Sequence, residues 1–199
     1  MSALRNWIVT NLENLLPSAP MTIWSDTNGS QFQQLTGLTQ EELMTKWYGP
    51  KDSSGNRSAT GTDPTFTTCT SFLPIFASKV CSAGGLAGKQ LRPFKLNTEN
   101  GWVANADGAS PEAGDFFLLG TAVHLEHVGV ILEVDGSNWS MVAGGAGGKR
   151  FQHDGVKRTA LEPMPGAVMG WLDVDTYFSG WVSPSADIYN DDDDDDPYK

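Results

Sequence analysis

Along ALRNWIVTNLENLL, residues 3–16, the apolar side chains Leu4, Trp7, Ile8, Leu12, Leu15 and Leu16 recur at three- and four-residue spacing. That period predicts a helix with one apolar face, ended by Pro17 and Pro20. A second short helix fits 39–48, where Thr39 and Glu42 have the spacing of a reciprocal N-terminal cap. Residues 49–66 are polar and rich in Gly, Ser and Asp, and read as a long loop. The next apolar run, SFLPIFASKV, predicts a helix that starts near Cys69 and ends before the glycines of CSAGGLAG, 81–88.

Beyond residue 100 the period changes from helical to alternating. GDFFLLG (114–120) is a short apolar strand, and HVGVILEV (127–134) sets Val128, Val130, Leu132 and Val134 on one face, with His127 on the other. Asp135-Gly136 marks a tight turn, NWSMVA (138–143) returns as the next strand, and AVMGWLDV (167–174) is the last. Helices first and an antiparallel meander afterwards define an α+β chain, not an alternating βαβ one. Residues 86–113 show no clear pattern and are expected to form an insertion beside a cleft.

The chain has 199 residues, 39% of them hydrophobic, enough for one well-buried core. Residues 1–183 are read as a single domain and 184–199 as an acidic tail that does not fold, because like charges repel and little there can be buried. Net charge is −11, of which the run Asp191–Asp196 carries six. Such a balance opposes nucleic acid, whose affinity rests on Lys and Arg against phosphate, and it opposes anionic membranes. No segment reaches the length of a membrane span. The N-terminus lacks the form of a secretory signal, so synthesis in the cytoplasm is expected.

Cys69 is the residue that changes the picture. Thr67 or Thr68 can cap the helix, which puts the thiol at the positive end of the helix dipole. That field favours the thiolate, the reactive form. A nucleophilic cysteine needs a base to take its proton, and His127 at the start of a strand is placed to project toward a packed helix. His124 is an alternative base. Cys81 reads as a small core residue. GGAGGKR (144–150) is not a phosphate loop, since Ala143 and Arg150 stand where Gly and Ser or Thr would be needed. Cys69, Asp115, His124 and His127 do not have a zinc spacing, and the Asp run lacks the pattern of a calcium loop. No metal or other cofactor is expected.

A helix-starting Cys, then Gly114-Asp115 leading an apolar strand, then His127-Val128-Gly129-Val130 and a Gly-rich partner strand form an ordered set over residues 65–145. It resembles the NlpC/P60 and CHAP cysteine peptidases of the papain-like superfamily. The resemblance implies a papain-like fold, with N-terminal helices packed on a central antiparallel sheet. It implies Cys69 as nucleophile, His127 as base, and amide cleavage in peptidoglycan stem or cross-bridge peptides; the Cys69 N–H, a helix-start amide, is the expected half of an oxyanion site whose other donor is open. Those families place a polar side chain on the following strand to orient the histidine. SMVAGGAGG (140–148) offers only Ser140 there; Asp135, Gln152, His153 or a backbone carbonyl are the other candidates. A wall enzyme without a secretory signal is expected to reach its substrate as a phage lysin or as an injected toxin, the latter matched by an inhibitor protein in the producing cell. The alternatives are a toxin deamidase or protease acting on a protein, and a non-catalytic papain-like scaffold.

Overall fold

The computed structural model describes residues 1–17, 39, 41–42, 52–55, 69–86, 91–121, 124–145 and 156–184. Helix α1 is Ala3–Leu15. Ser2 caps it by accepting a hydrogen bond from the Arg5 N–H at 3.1 Å. Leu4, Ile8, Leu12 and Leu15 are buried along one stripe, and each such side chain contributes about 1.5–3 kcal/mol when fully taken out of water. The helix stops where Leu16 closes back onto the Leu12 carbonyl at 2.9 Å, just before Pro17 removes the next donor. Of the expected 39–48 helix only Thr39, Glu41 and Glu42 are described. There the Thr39 N–H donates to Glu42 at 2.7 Å, and the Glu42 N–H donates to Thr39 Oγ1 at 3.2 Å. That is the reciprocal cap the spacing called for.

Helix α2, Cys69–Ala83, carries Pro74 in its interior. Pro74 has no N–H to offer the Thr70 carbonyl, so the first turn is tied less firmly to the rest of the helix. Cys69 and Cys81 stand on this one helix, and neither is in a disulfide. Twelve residues of helix separate them by about 18 Å, far beyond the roughly 4–7 Å between Cα atoms that a disulfide spans.

The strands are β1 (Trp102–Ala104), β2 (Phe116–Thr121), β3 (His124–Asp135), β4 (Asn138–Ala143), β5 (Lys157–Arg158), β6 (Glu162–Pro163) and β7 (Val168–Leu172); helix α3 is Val174–Tyr177. Among the described residues they form one antiparallel sheet in the order β1-β7-β2-β3-β4-β5, with β6 beside β4. The expected meander is present from β2 to β4, and β5 continues it. The last strand does not extend it: β7 returns to pair with β2 on the other side. β2 is therefore central, and Phe116, Phe117, Leu118, Leu119 and Gly120 are all buried, as a strand covered on both faces must be.

Two apolar layers flank the sheet. Phe116, Leu118, Val128, Val130, Leu132 and Val142 pack with α1 and α2. Phe117, Leu119, Ile131, Trp139, Ala143, Val168 and Trp171 form the other face. The stretch 86–113 is not an appended insertion. It supplies β1, in register with β7 from Trp102↔Leu172 to Ala104↔Gly170, and it buries Leu91 and Leu96 in the core. The short 3-10 helices Pro93–Thr98 and Asn105–Asp107 flank β1 and break the period that a sequence reading relies on. The chain after α3 folds back over α2, where Trp181 Nε1 donates to the Val80 carbonyl at 3.0 Å and its ring lies 6.1 Å from that of Trp7.

What ties these layers together is ionic. Arg5 and Asp115 are each 2% exposed and meet at 2.7 Å. Arg5 also reaches Asp175 at 2.8 Å, Asp173 at 3.4 Å and Glu112 at 3.6 Å. Asp115 accepts further from the N–H groups of Glu112 at 2.8 Å and Val174 at 3.3 Å. Gly114 makes this contact possible: with φ at +98° it takes a conformation that suits glycine, and a Cβ there would lie 3.3 Å from the Arg5 backbone.

Removing Arg5 leaves the buried Asp115 without its cation, whereas removing Asp115 leaves Arg5 with Asp175 at 2.8 Å. Arg5→Met is expected to lower the unfolding free energy by about 3–5 kcal/mol, and Asp115→Asn by less. Urea denaturation should show this, with much of the loss recovered in the double variant Arg5→Met/Asp115→Leu, where no charge is left alone.

Candidate functional site

Cys69 is the first residue of α2, partly exposed, and packed against the α1–α2 side of the core. A thiol there feels the positive end of a helix of 15 residues, which favours its ionised form. Thr67 and Thr68, the expected caps, lie outside the described residues. Helix α2 packs directly on β3, so the fold brings together the two elements that carry Cys69 and His127.

His127 sits in β3 opposite Leu119 of β2, just past an irregularity in the β2–β3 pairing. Its ring lies 6.0 Å from that of Phe117, inclined by 50°, and Phe117 in turn lies 4.9 Å from Trp139. Leu119, Phe117 and Trp139 all belong to the face away from α2. The imidazole therefore rests on the side of the sheet opposite the layer in which Cys69 packs. The sequence reading placed His127 opposite Val128 and Val130, as found, but it expected that face to meet the helix; α2 instead covers Val128 and Val130. Burial holds the His127 pKa below the ordinary 6.5, because the charged ring loses water. The imidazole is consequently neutral at pH 7, the form a base requires.

The proposed orienting residues fall elsewhere. Ser140 pairs with Glu133, six residues along β3 from His127, roughly 20 Å at the rise of a strand. Its strand neighbours Trp139, Met141 and Ala143 line the far face, so Ser140 points toward α2, where its Oγ is buried with no hydrogen-bond partner among the described residues. Asp135 is farther still, closing the two-residue turn with Asn138. Neither can orient His127. Among the described residues the β3–β4 pairing ends at Val130↔Val142, short of His127. Gln152 and His153 lie outside the described residues. His124, the alternative base, is exposed at the start of β3, and Cys81 is a core residue.

Arg5 and the role of Asp115 were not read from the sequence. Asp115 drew notice only as half of a Gly-Asp pair, yet it anchors α1. The signal was present: Arg5, Ile8, Leu12 and Leu15 share one helical stripe, so the arginine had to be buried and had to find a carboxylate. Burial pushes the Asp115 carboxyl up to about 6, against the pull of Arg5 and of two backbone N–H groups. Burial also works against the Arg5 charge, but Asp115 and Asp175 outweigh it and raise the pKa.

No protein-family model matches the chain, and no curated protein is similar to it in sequence. Among the described residues no helix is long and apolar enough to cross a membrane.

The depressed pKa of His127 has a consequence for stability. Above pH 6.5 the ring is neutral in the folded and unfolded chains alike. As pH falls below 6.5 the unfolded chain takes up the proton first, so folding stability drops until the folded pKa is reached. Urea midpoints measured at pH 7.5 and 5.5 should fall further for the wild type than for His127→Gln.

Proposed function

We propose that this chain is a cysteine hydrolase of papain-like architecture that cleaves amide bonds in the stem or cross-bridge peptides of peptidoglycan. The observation that carries the proposal is Cys69 as the first residue of a helix packed on the strand that bears a neutral, half-buried histidine. In this reading His127 takes the Sγ proton, and the thiolate attacks the carbonyl carbon. First-turn N–H groups of α2 stabilise the oxyanion. The imidazolium gives its proton to the leaving amine as the C–N bond breaks, which leaves a thioester. Water, deprotonated by His127, then attacks the thioester, releasing the acid and restoring the thiol. Proton exchange requires the imidazole and Sγ within hydrogen-bond reach, so the start of β3, next to the irregularity in its pairing with β2, has to turn His127 to the α2 face. Delivery to the wall by lysis or injection, with an inhibitor protein in the producing cell, completes the reading.

The resting place of the imidazole favours a second reading: a non-catalytic scaffold of the same architecture, in which Cys69 is a structural thiol and the molecule binds a partner.

Digestion of purified sacculi separates the two. The wild type should release new free amines and split muropeptides, Cys69→Ala none, and His127→Gln about 100- to 10,000-fold less. Equal release by wild type and Cys69→Ala, or none by either, contradicts the wall-hydrolase reading.

A further inference from the structure

Arg5 is one cation among four carboxylates, and it divides its donors between them. Nη1 serves Asp115 at 2.7 Å and the Ala113 carbonyl at 3.2 Å. Nε serves Asp175 at 2.8 Å and stands 3.6 Å from Glu112, and Nη2 stands 3.4 Å from Asp173. Asp115 therefore receives a single guanidinium nitrogen, not the two-pronged contact in which an arginine answers a carboxylate most fully. The cluster as a whole carries a surplus of negative charge.

Its four carboxylates are not alike. Glu112, Asp173 and Asp175 are open to water, and Asp115 is not. Where like charges crowd one site, one of them holds its proton to higher pH, and burial selects the one that water cannot stabilise. Three donors favour a charged Asp115, namely Arg5 Nη1 and the N–H groups of Glu112 and Val174. Burial outweighs them and pushes the Asp115 carboxyl up to about 6. Protonation also strands no charge, because Arg5 keeps Asp175 and Asp173. Tyr177, the other ionisable side chain of α3, is pushed up to about 12 and stays neutral. Among the described residues Arg5 is the cation paired with Asp115.

We propose that the junction of α1, β2 and α3 is a proton-operated clasp: in mild acid Asp115 takes up a proton, Arg5 rests on the carboxylates at the start of α3, and the fold tightens where ordinary carboxylate ion pairs loosen. The clasp stands on the buried cluster and is independent of the Cys69–His127 pair. The folded carboxyl lies above its ordinary 3.8. The stability it contributes is therefore complete below 3.8 and is lost as pH rises through about 6. Lowering the pH from 7 to 5 makes the folding constant about tenfold more favourable through this group.

Two measurements on the full chain test the clasp. Carbon-13 NMR of the assigned side-chain carboxyls, followed from pH 3 to 8, reads Asp115 directly. Its midpoint should lie near 6, and Asp175→Asn, which leaves Arg5 one anion fewer to share, should lower it. Urea denaturation at pH 7 and pH 5 reads the consequence. As the pH falls, the wild type should gain about tenfold in folding constant over Asp115→Asn. An Asp115 midpoint at or below 3.8 overturns the proposal, and so does the same pH dependence in wild type and Asp115→Asn. Where Asp115→Asn does not fold, the carboxyl titration of the wild type decides.

Discussion

A single buried cation organises the packing of this chain. Arg5 projects from α1 into a site with four carboxylates within 4 Å, and the one it meets most closely, Asp115, is as deeply buried as the guanidinium. Asp115 immediately precedes β2, the central strand, and also accepts from the Val174 N–H at the start of α3. One ion pair therefore joins the first helix, the middle of the sheet and the last helix. Its two members are not equivalent. Arg5 has several anions around it and is secured as a cation, whereas Asp115 has one cation and bears a burial cost that leaves its pKa near 6. A pair of this kind adds little net stability compared with an apolar contact, but a wrong arrangement would strand a charge in the core. Its effect is to specify how α1 sits, and with it the layer shared by α1 and α2.

From that placement the candidate site follows. With α1 fixed against the start of β2, α2 covers Val128, Val130 and Leu132 of β3, and its first residue is Cys69. The alternation of β3 from His127 to Leu132 then directs His127 to the other face, onto Phe117; past Leu132 the register with β4 slips, and Val134, expected on the Val128 face, packs on the far side. The same sheet that brings helix and strand together separates the side chains they carry. The aromatic contact of the imidazole lies on one side of the strand and the thiol on the other.

Much of this was legible in the sequence, and the reasons differ by element. Helix α1, helix α2 and the β3–β4 hairpin carry strong periods and clear stop signals: Pro17, the glycines after Ala83, and Asp135-Gly136. Strand β1 was hidden because it is three residues long and held between 3-10 helices, too short to show alternation. The position of β7 was hidden because sequence order says nothing about which flank of β2 a returning strand will take. Cys69 and His127 stood out by residue type and order. The face on which His127 meets its neighbours depends on which side of the sheet the helices choose, a tertiary fact. Ser140 and Asp135 looked available as orienting groups in one dimension, but the antiparallel register carries both to the far end of the hairpin. Arg5 was readable in principle, as a charge on a buried stripe, but its partner lies 110 residues away.

The central claim is that the start of α2 activates the Cys69 thiol. Its most direct test is the ultraviolet absorbance of the thiolate, titrated against pH in a Cys81→Ala background. The account predicts a midpoint below that of an ordinary cysteine, ~8.5, which His127→Gln leaves in place because the imidazole rests on the other face of the sheet. A midpoint at or above the ordinary value would contradict it and leave Cys69 as a structural thiol at the start of α2.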